Sequence, residues 1–116
     1  MRSDCLYLED IVEAADAIAV FLEGRSQESF VSDDMLRSAV LQKLAIIGEC
    51  ATRLRPQVRA AHAHVPWADI IGFRNIAVHA YFSVQWPIVW VTATEDVPAL
   101  RRQISTILEQ LDDSIS

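Results

Sequence analysis

Residues 32–56 read SDDMLRSAVLQKLAIIGECATRLRP, and this stretch decides what kind of fold the chain adopts. Ser32, Asp33 and Asp34 carry the side chains that cap helix N-termini, and Pro56 breaks or kinks a helix near Arg55. Between them, apolar side chains recur every third or fourth position, as on one face of an α-helix: Leu36, Val40, Leu44, Ile47, Ala51 and Leu54. The stretch therefore predicts a long amphipathic helix that packs against others.

The same spacing recurs towards both ends of the chain. A first helix of about 20 residues is predicted to end at Gly24, because glycine commonly follows the last helical turn. Its apolar face comprises Tyr7, Ile11, Ala14, Ile18 and Phe21/Leu22. Residues 24–34 (GRSQESFVSDD) are polar and predict a link. The face of the last helix comprises Leu100, Ile104, Ile107, Leu111 and Ile115.

Prolines divide the remainder into shorter elements. Residues 57–65 predict a short amphipathic piece or loop, and Pro66 opens a third helix that runs from about Trp67 to His79. Pro87 starts a further helix. Pro98 predicts a break near residues 94–97, with Glu95 and Asp96 as N-terminal acids of the last helix. Short connections between long helices favour an antiparallel arrangement.

Composition agrees with an all-α fold. The 116 residues include 52% hydrophobic residues but only three Gly and four Pro, which argues against a turn-rich β fold and against disorder. We expect one domain, residues 1–116, folded as an antiparallel up-and-down bundle of four to five helices. Acids interrupt the apolar pattern of the N-terminal segment, so we expect neither a signal peptide nor a membrane span, and a cytoplasmic location. Cys5 and Cys50 are too few for a disulfide framework or a zinc site.

Residues 72–81, GFRNIAVHAY, concentrate side chains that carry chemistry. Arg74 is a permanent cation whose planar fork fits phosphate oxygens, and His79 is able to take and return a proton near neutral pH. Cleavage of RNA needs these two abilities, and its nucleophile, the ribose 2′-OH, belongs to the substrate. Such a reaction requires neither a metal nor a cofactor. A surface arginine and a histidine at a helix C-terminus are the structural alternative.

Spacing within the motif bears on how such a site is assembled. Asn75 and His79 are four residues apart and share a helix face, so the Asn75 amide is placed to orient the imidazole. Arg74 and His79 are five residues apart, about 140° around a regular helix. A distorted helix end, or two copies of the helix facing each other across a two-fold axis, would bring them to one phosphate. The spacing therefore favours a homodimeric site.

The chain as a whole resembles the HepT-like family of the HEPN superfamily. The resemblance runs from near Met1 to about Leu111, with the R-x-x-x-x-H-x-Y pattern of Arg74, His79 and Tyr81 inside it. The similar stretches are YLEDI (7–11), FLEG (21–24), AVLQKLAIIGE (39–49), VPWADIIGFRN (65–75) and HAYF (79–82). One departure is Ala80, where many members of the family have glycine.

The resemblance implies a helical bundle that dimerises, with Arg74 and His79 as the ribonuclease residues in the cleft between subunits. It also implies a toxin of a type VII-like toxin–antitoxin pair, a metal-independent endoribonuclease that leaves a 2′,3′-cyclic phosphate. The implied antitoxin is a minimal nucleotidyltransferase of the MntA type, which transfers AMP to the motif tyrosine, here Tyr81. The expected substrate is RNA, with tRNA and mRNA as candidate classes.

The formal charge of −6 fits poorly with RNA binding and supports an alternative function. In this alternative the chain is a non-catalytic helical or nucleotide-binding partner of the nucleotidyltransferase. Residues 36–67, however, hold five basic side chains against Glu49 alone. Arg53, Arg55 and Arg59 among them are candidates for contacts with an RNA backbone, although a solvated helix face explains them equally well.

Several other residues are predicted to be structural. Gly48 inside the second long helix costs roughly 1 kcal/mol relative to alanine, which suggests that another helix approaches closely there. The tryptophans at positions 67, 86 and 90 are expected to pack in the core rather than to stack on bases. His62 and His64 lack further ligands at metal-binding spacing, so no metal site is expected.

Overall fold

A computed structural model of the chain describes residues 2–76 and 85–115, and all regular structure in these residues is helical. The helices are α1 (Asp4–Leu22), α2 (Gln27–Val31), α3 (Asp34–Arg53), α4 (Pro56–Ala61), α5 (Trp67–Ile71), α6 (Trp86–Val91) and α7 (Val97–Ile115). Residues 73–76 are also helical, and a π-helical turn (Thr92–Asp96) joins α6 to α7. The prediction of an all-α bundle is confirmed.

Helices α1 and α3 form the centre of the bundle and run antiparallel. At one end, the Nε of Arg55, just beyond α3, donates to Asp4 in the first turn of α1 over 2.6 Å. At the other end, Arg25 after α1 pairs with Asp33 before α3. The periodic residues predicted from the sequence meet between them, since Ile11, Ile18, Leu44 and Ile47 are completely buried. Helix α7 packs on α1 and adds Leu100, Ile104 and Ile107 to the same core.

The predicted helix ends are largely confirmed. Asp33 is the N-cap of α3, where its side chain accepts a hydrogen bond from the Leu36 amide. Helix α1 ends at Leu22, and Gly24 follows with φ of 73°, a left-handed conformation that only glycine adopts without strain. Ser32 does not cap α3. Its hydroxyl, at the C-cap of α2, instead donates to the Glu28 carbonyl.

The polar link predicted at residues 24–34 is wrong in one respect, because it contains α2. A capping box between Ser26 and Ser29 starts this helix. Phe30 then enters the core with no exposed surface, its ring centre 6.3 Å from that of Trp86 and 5.6 Å from that of Trp90. The packing of one aromatic side chain thus fixes a segment whose other residues are mostly polar.

The break predicted near residues 94–97 is also wrong. The chain stays helical from Trp86 to Ile115 and widens into a π-turn just before Pro98. The Val97 amide donates to the Thr92 carbonyl, five residues back, instead of to residue 93. Proline has no N–H to give to the preceding turn, and a wider turn leaves room for its ring. Proline therefore reshapes this helix without ending it.

The third helix, predicted as one element from Trp67 to His79, is interrupted. Helix α5 ends at Ile71, Gly72 forms a turn, and helical structure resumes at Phe73. Glycine is a poor helix former, so an interruption costs least at this position. Residues 77–84 lie outside the described part of the chain.

Within the residues described, no helix combines the length and the apolar character that crossing a bilayer requires.

Candidate active site

The close approach predicted at Gly48 brings Arg74 onto α3. A Cβ atom added to Gly48 would lie 2.8 Å from the backbone nitrogen of Arg74 and 3.0 Å from its Cγ. It would also lie 3.1 Å from the carbonyl oxygen of Ile70. Real Cβ atoms do not come so near to backbone atoms, so only glycine permits this contact. Gly48 therefore determines where along α3 Arg74 packs and how closely its backbone approaches that helix.

The side chain of Arg74 extends from this contact to the surface. It is 47% exposed, and its Nη1 lies 3.2 Å from Oε2 of Glu49, the residue that follows Gly48. The guanidinium borders an open groove of about 370 Å³, whose other lining residues are Gln42, Ala45, Ile46 and Glu49. All four lie on one face of α3. Arg74 is thus a positioned cation that solvent, or a dissolved anion, is able to reach.

Glu49 joins a second arginine to this site. Its Oε1 accepts a hydrogen bond of 3.1 Å from the Nε of Arg53, one turn further along α3. One carboxylate therefore contacts two guanidinium groups, and the cluster of Glu49, Arg53 and Arg74 has a formal charge of +1. No sequence pattern indicated this cluster, because Glu49 and Arg74 are 25 positions apart. The glycine at position 48 indicated only that something approaches α3 there.

The remaining motif residues are placed only in part. Asn75 is exposed and lies in the helical turn that contains Arg74. His79 and Tyr81 lie outside the described residues, so the predicted contacts of Arg74 with His79 and of Asn75 with His79 stay predictions. The interruption at Gly72 precedes Arg74. It therefore leaves unchanged the angle of about 140° that a regular helix would put between Arg74 and His79.

The other two arginines proposed for RNA contact already have protein partners. The Nη1 of Arg59 donates to the carbonyl oxygens of Ala51 and Thr52, over 3.0 and 3.3 Å, and so satisfies the C-terminal end of α3. Arg55 binds Asp4 through both its backbone amide and its Nε. Of the three, Arg53 lies nearest to Arg74 through the shared carboxylate.

A second groove, of about 470 Å³, lies where α1 begins and α3 ends. Arg2, Ser3, Asp4, Tyr7, Arg53 and Arg55 line it. Arg2 lies over the ring of Tyr7, 5.0 Å from its centre, and donates to Asp10, a hydrogen bond that raises the pKa of Arg2. Arg53 lines this groove and also contacts Glu49, which lines the first groove. Arg53 therefore links the two grooves.

The side chains predicted to be structural are accounted for. Trp67 is buried, and its indole N–H donates to the carbonyl oxygens of Arg59 and His62. Trp86 is buried and Trp90 is half-buried against the core. Cys50 is 7% exposed, and burial raises the pKa of its thiol.

The rings of His62 and His64 meet edge to face with their centres 6.1 Å apart. In residues 2–76 and 85–115 no three His, Cys, Asp or Glu side chains come together as a metal site.

Comparison with known proteins places the chain in a family. Residues 11–107 match the family described as "Ribonuclease HepT-like", and the match spans Gly48, Glu49 and the whole 72–81 motif. The chain belongs to the HepT-like ribonuclease family. This result confirms the resemblance noted from the sequence and agrees with the all-helical bundle.

Individual relatives cover nearly the full length of this HepT-like chain. A protein of Thermococcus cleftensis named "Probable ribonuclease HepT" is 36% identical over 100 residues, which are 86% of this chain and 91% of the relative. A protein of Caldanaerobacter subterraneus subsp. tengcongensis, named as a proposed RNase, is 36% identical over 95% of this chain and 98% of its own.

A proposed RNase of Methanocaldococcus jannaschii is 32% identical over 87% of this HepT-like chain and 93% of its own. No solved structure matches the chain significantly.

Proposed function

We propose that this chain is a metal-independent endoribonuclease, with Arg74 and His79 as its catalytic residues in a cleft between two copies of the chain. The observation that carries the proposal is the placement of Arg74. Its backbone is seated against Gly48, while its guanidinium is half-exposed beside an open groove. Membership of the HepT-like ribonuclease family and the names of the relatives support RNA as the substrate.

The proposed reaction is attack by the ribose 2′-oxygen on the adjacent phosphorus. His79 takes the 2′-OH proton as the new P–O bond forms, and the bond to the 5′-oxygen breaks. The leaving 5′-oxygen acquires a proton, from His79 or from water. The products are a 2′,3′-cyclic phosphate and a 5′-hydroxyl, so atoms and charge balance with no added reagent.

Arg74 suits the part of this reaction in which negative charge accumulates on the phosphate oxygens. The contact with Glu49 uses Nη1, so Glu49 does not cover the Nε–Nη2 edge, which is able to bind two oxygens at once. A preorganised donor of this kind is worth roughly 100- to 1,000-fold in rate. The second copy of the chain is proposed because a regular helix would direct residues five positions apart, such as Arg74 and His79, to different sides. Asn75 is proposed to orient His79.

We further propose that the activity is that of a toxin controlled by a partner protein. The partner is a minimal nucleotidyltransferase of the MntA type, which acts as antitoxin by transferring AMP to the hydroxyl of Tyr81. An attached AMP would add a phosphate charge and a nucleoside near Arg74, where the RNA backbone is proposed to bind. This modification would block the substrate without unfolding the bundle.

The test is RNA cleavage by the purified chain in excess EDTA, with Arg74→Ala and His79→Ala beside the wild type. Arg101→Ala is the matched control, since Arg101 is an exposed arginine that also pairs with an acid, Asp16. We expect cleavage in EDTA by the wild type and the control, and loss of at least 100-fold in both motif variants. Loss of cleavage in EDTA, or full activity of His79→Ala, would contradict the mechanism.

The alternative function, a non-catalytic partner of the nucleotidyltransferase, is favoured by two observations. The chain has a net charge of −6, and Glu49 already occupies part of Arg74. This alternative predicts a stable complex with the nucleotidyltransferase but no RNA cleavage by the isolated chain at any salt concentration. The same assay therefore decides between the two functions.

A further inference from the structure

The proposed reaction leaves one charged group at the site without a role. Glu49 is the only acid between positions 36 and 67 of the sequence, yet it lies against the arginine proposed to bind phosphate. A carboxylate repels phosphate, so its position beside Arg74 weakens the substrate's attraction to the site. A group that opposes binding at this point needs another explanation.

Stability of the fold does not provide one. The side chains of Glu49, Arg53 and Arg74 are 43%, 59% and 47% exposed. Ion pairs in such positions contribute little to folding, because water screens them and two long side chains lose freedom. The contact therefore bears on where the arginine side chain is held rather than on the stability of the fold.

Geometry supports such a role. Gly48 and Glu49 are adjacent, and together they contact Arg74 at both ends: Gly48 meets its backbone and Cγ, and Glu49 meets its Nη1. An arginine side chain has several rotatable bonds between these two points. With the backbone end packed against Gly48, an ion pair at the guanidinium restricts the conformations that the side chain adopts.

We propose that Glu49 is the positioning residue of the active site, which holds Arg74 ready for the phosphate and brings Arg53 beside it. The inference rests on the proposed ribonuclease function and adds to it a residue outside the 72–81 motif. Glu49 contacts Nη1 of Arg74 and Nε of Arg53, so the Nε–Nη2 edge of Arg74 remains available to the substrate. Glu49 thus weakens RNA binding but orients Arg74, and this orientation governs the rate of the chemical step.

This role predicts opposite effects on affinity and rate. In Glu49→Gln the side chain keeps its length but loses its charge, so repulsion of RNA falls while the hold on Arg74 weakens. We expect binding of a fully 2′-O-methylated RNA to tighten about twofold or more, because one opposing charge has gone. We expect kcat on the unmodified RNA to fall about tenfold, because the arginine is no longer held in one orientation.

Asp16→Asn is the matched control, since Asp16 forms a similarly exposed ion pair with Arg101, 3.0 Å apart, on another face of the bundle. It is expected to leave kcat, RNA binding and melting temperature unchanged. Glu49→Gln is likewise expected to melt at the wild-type temperature within a few degrees, because exposed ion pairs contribute little. A kcat within twofold of wild type in Glu49→Gln would overturn the inference, and so would a rise in both affinity and kcat.

A second measurement separates this inference from the proposed function. The ¹⁵N relaxation of the Arg74 Nε–H reports the order of that side chain without any RNA. We expect high order in the wild type and in Asp16→Asn, and clearly lower order in Glu49→Gln. If the wild type fails to cleave RNA, the proposed function fails, but this measurement still decides whether Glu49 holds Arg74. Equal order in all three proteins would refute the positioning role.

Discussion

Two arginines that contact α3 at different points along the helix have different roles. At the C-terminal end of the helix, Arg59 turns inward and donates to the carbonyl oxygens of Ala51 and Thr52. Near Gly48, Arg74 arrives from another helix and keeps nearly half of its side chain exposed beside a groove. The first arginine completes the hydrogen bonding of the fold, and the second is held at the surface by a carboxylate.

The difference shows why a count of basic residues is a poor guide to RNA binding. The partners of each guanidinium decide its role. Arg59 donates its hydrogen bonds to backbone carbonyls, whereas Arg74 contacts Glu49 through Nη1. Arg53 lies between these cases, because it is well exposed but shares the carboxylate with Arg74. Substitutions at these points along α3 are expected to separate folding from activity.

Gly48→Ala is expected to have the largest effect. Its Cβ would meet the backbone of Arg74, so either α3 or the Arg74 segment has to move. Crowding of this kind costs roughly 1–3 kcal/mol, and a shift of about 1 Å at a catalytic group lowers the rate by about 100-fold. Denaturant unfolding and RNA cleavage measure the two effects.

Gly24→Ala is the matched control for that variant. Gly24 has φ of 73° with no neighbour within 4 Å of an added Cβ, so alanine there adds strain but no collision. It is expected to cost about 1 kcal/mol of stability and to retain full activity. If Gly48→Ala also retained full activity, the packing of Arg74 against Gly48 would be unimportant for catalysis.

Arg59→Ala is expected to have the next largest effect, and it should lower the stability of the fold rather than the rate of catalysis. The variant leaves the carbonyls of Ala51 and Thr52 to water, which should lower the free energy of unfolding by about 1 kcal/mol. Cleavage per folded molecule should not change. Arg102→Ala, on the exposed side of α7, is the control, with a change below about 0.5 kcal/mol. A large loss of activity in folded Arg59→Ala would show that this arginine also contacts RNA.

Arg53→Gln is expected to have the smallest effect, visible mainly in the salt dependence of RNA binding. Each phosphate contact with single-stranded RNA contributes about 0.7 to the slope of log affinity against log salt. Loss of Arg53 should reduce the slope by about that amount, whereas Arg101→Gln should leave it unchanged. An unaltered slope in Arg53→Gln would exclude a direct contact between Arg53 and the RNA backbone.

The sequence was sufficient to predict the long helices, because α1, α3 and α7 each bury one periodic apolar face. It failed for α2, since a single buried residue, Phe30, has no period to detect. It also failed at Pro98, where a missing N–H suggested a break and the helix widened instead. Local patterns thus predict which face is buried better than they predict what a helix does at an irregular residue.

The site was predictable only where its residues are neighbours in the chain. The motif predicted Arg74 and Asn75 as candidate site residues, whereas the cost of glycine in a helix interior predicted only a close approach at Gly48. Glu49 was not predicted, because its contact with Arg74 depends on how α3 packs against the helical residues 73–76. A carboxylate on an exposed helix face has no local feature that separates it from any other surface acid.

The π-turn at Thr92–Asp96 has a consequence for how the longest helical run opens. Residues 86–115 span about 45 Å at 1.5 Å per residue, close to the 47 Å length of the protein. Within this run, Pro98 has no amide hydrogen to exchange and donates no hydrogen bond to the preceding turn. The run should therefore open as two separate units in hydrogen exchange, one that contains Trp86 and Trp90 and one that packs α7 against α1.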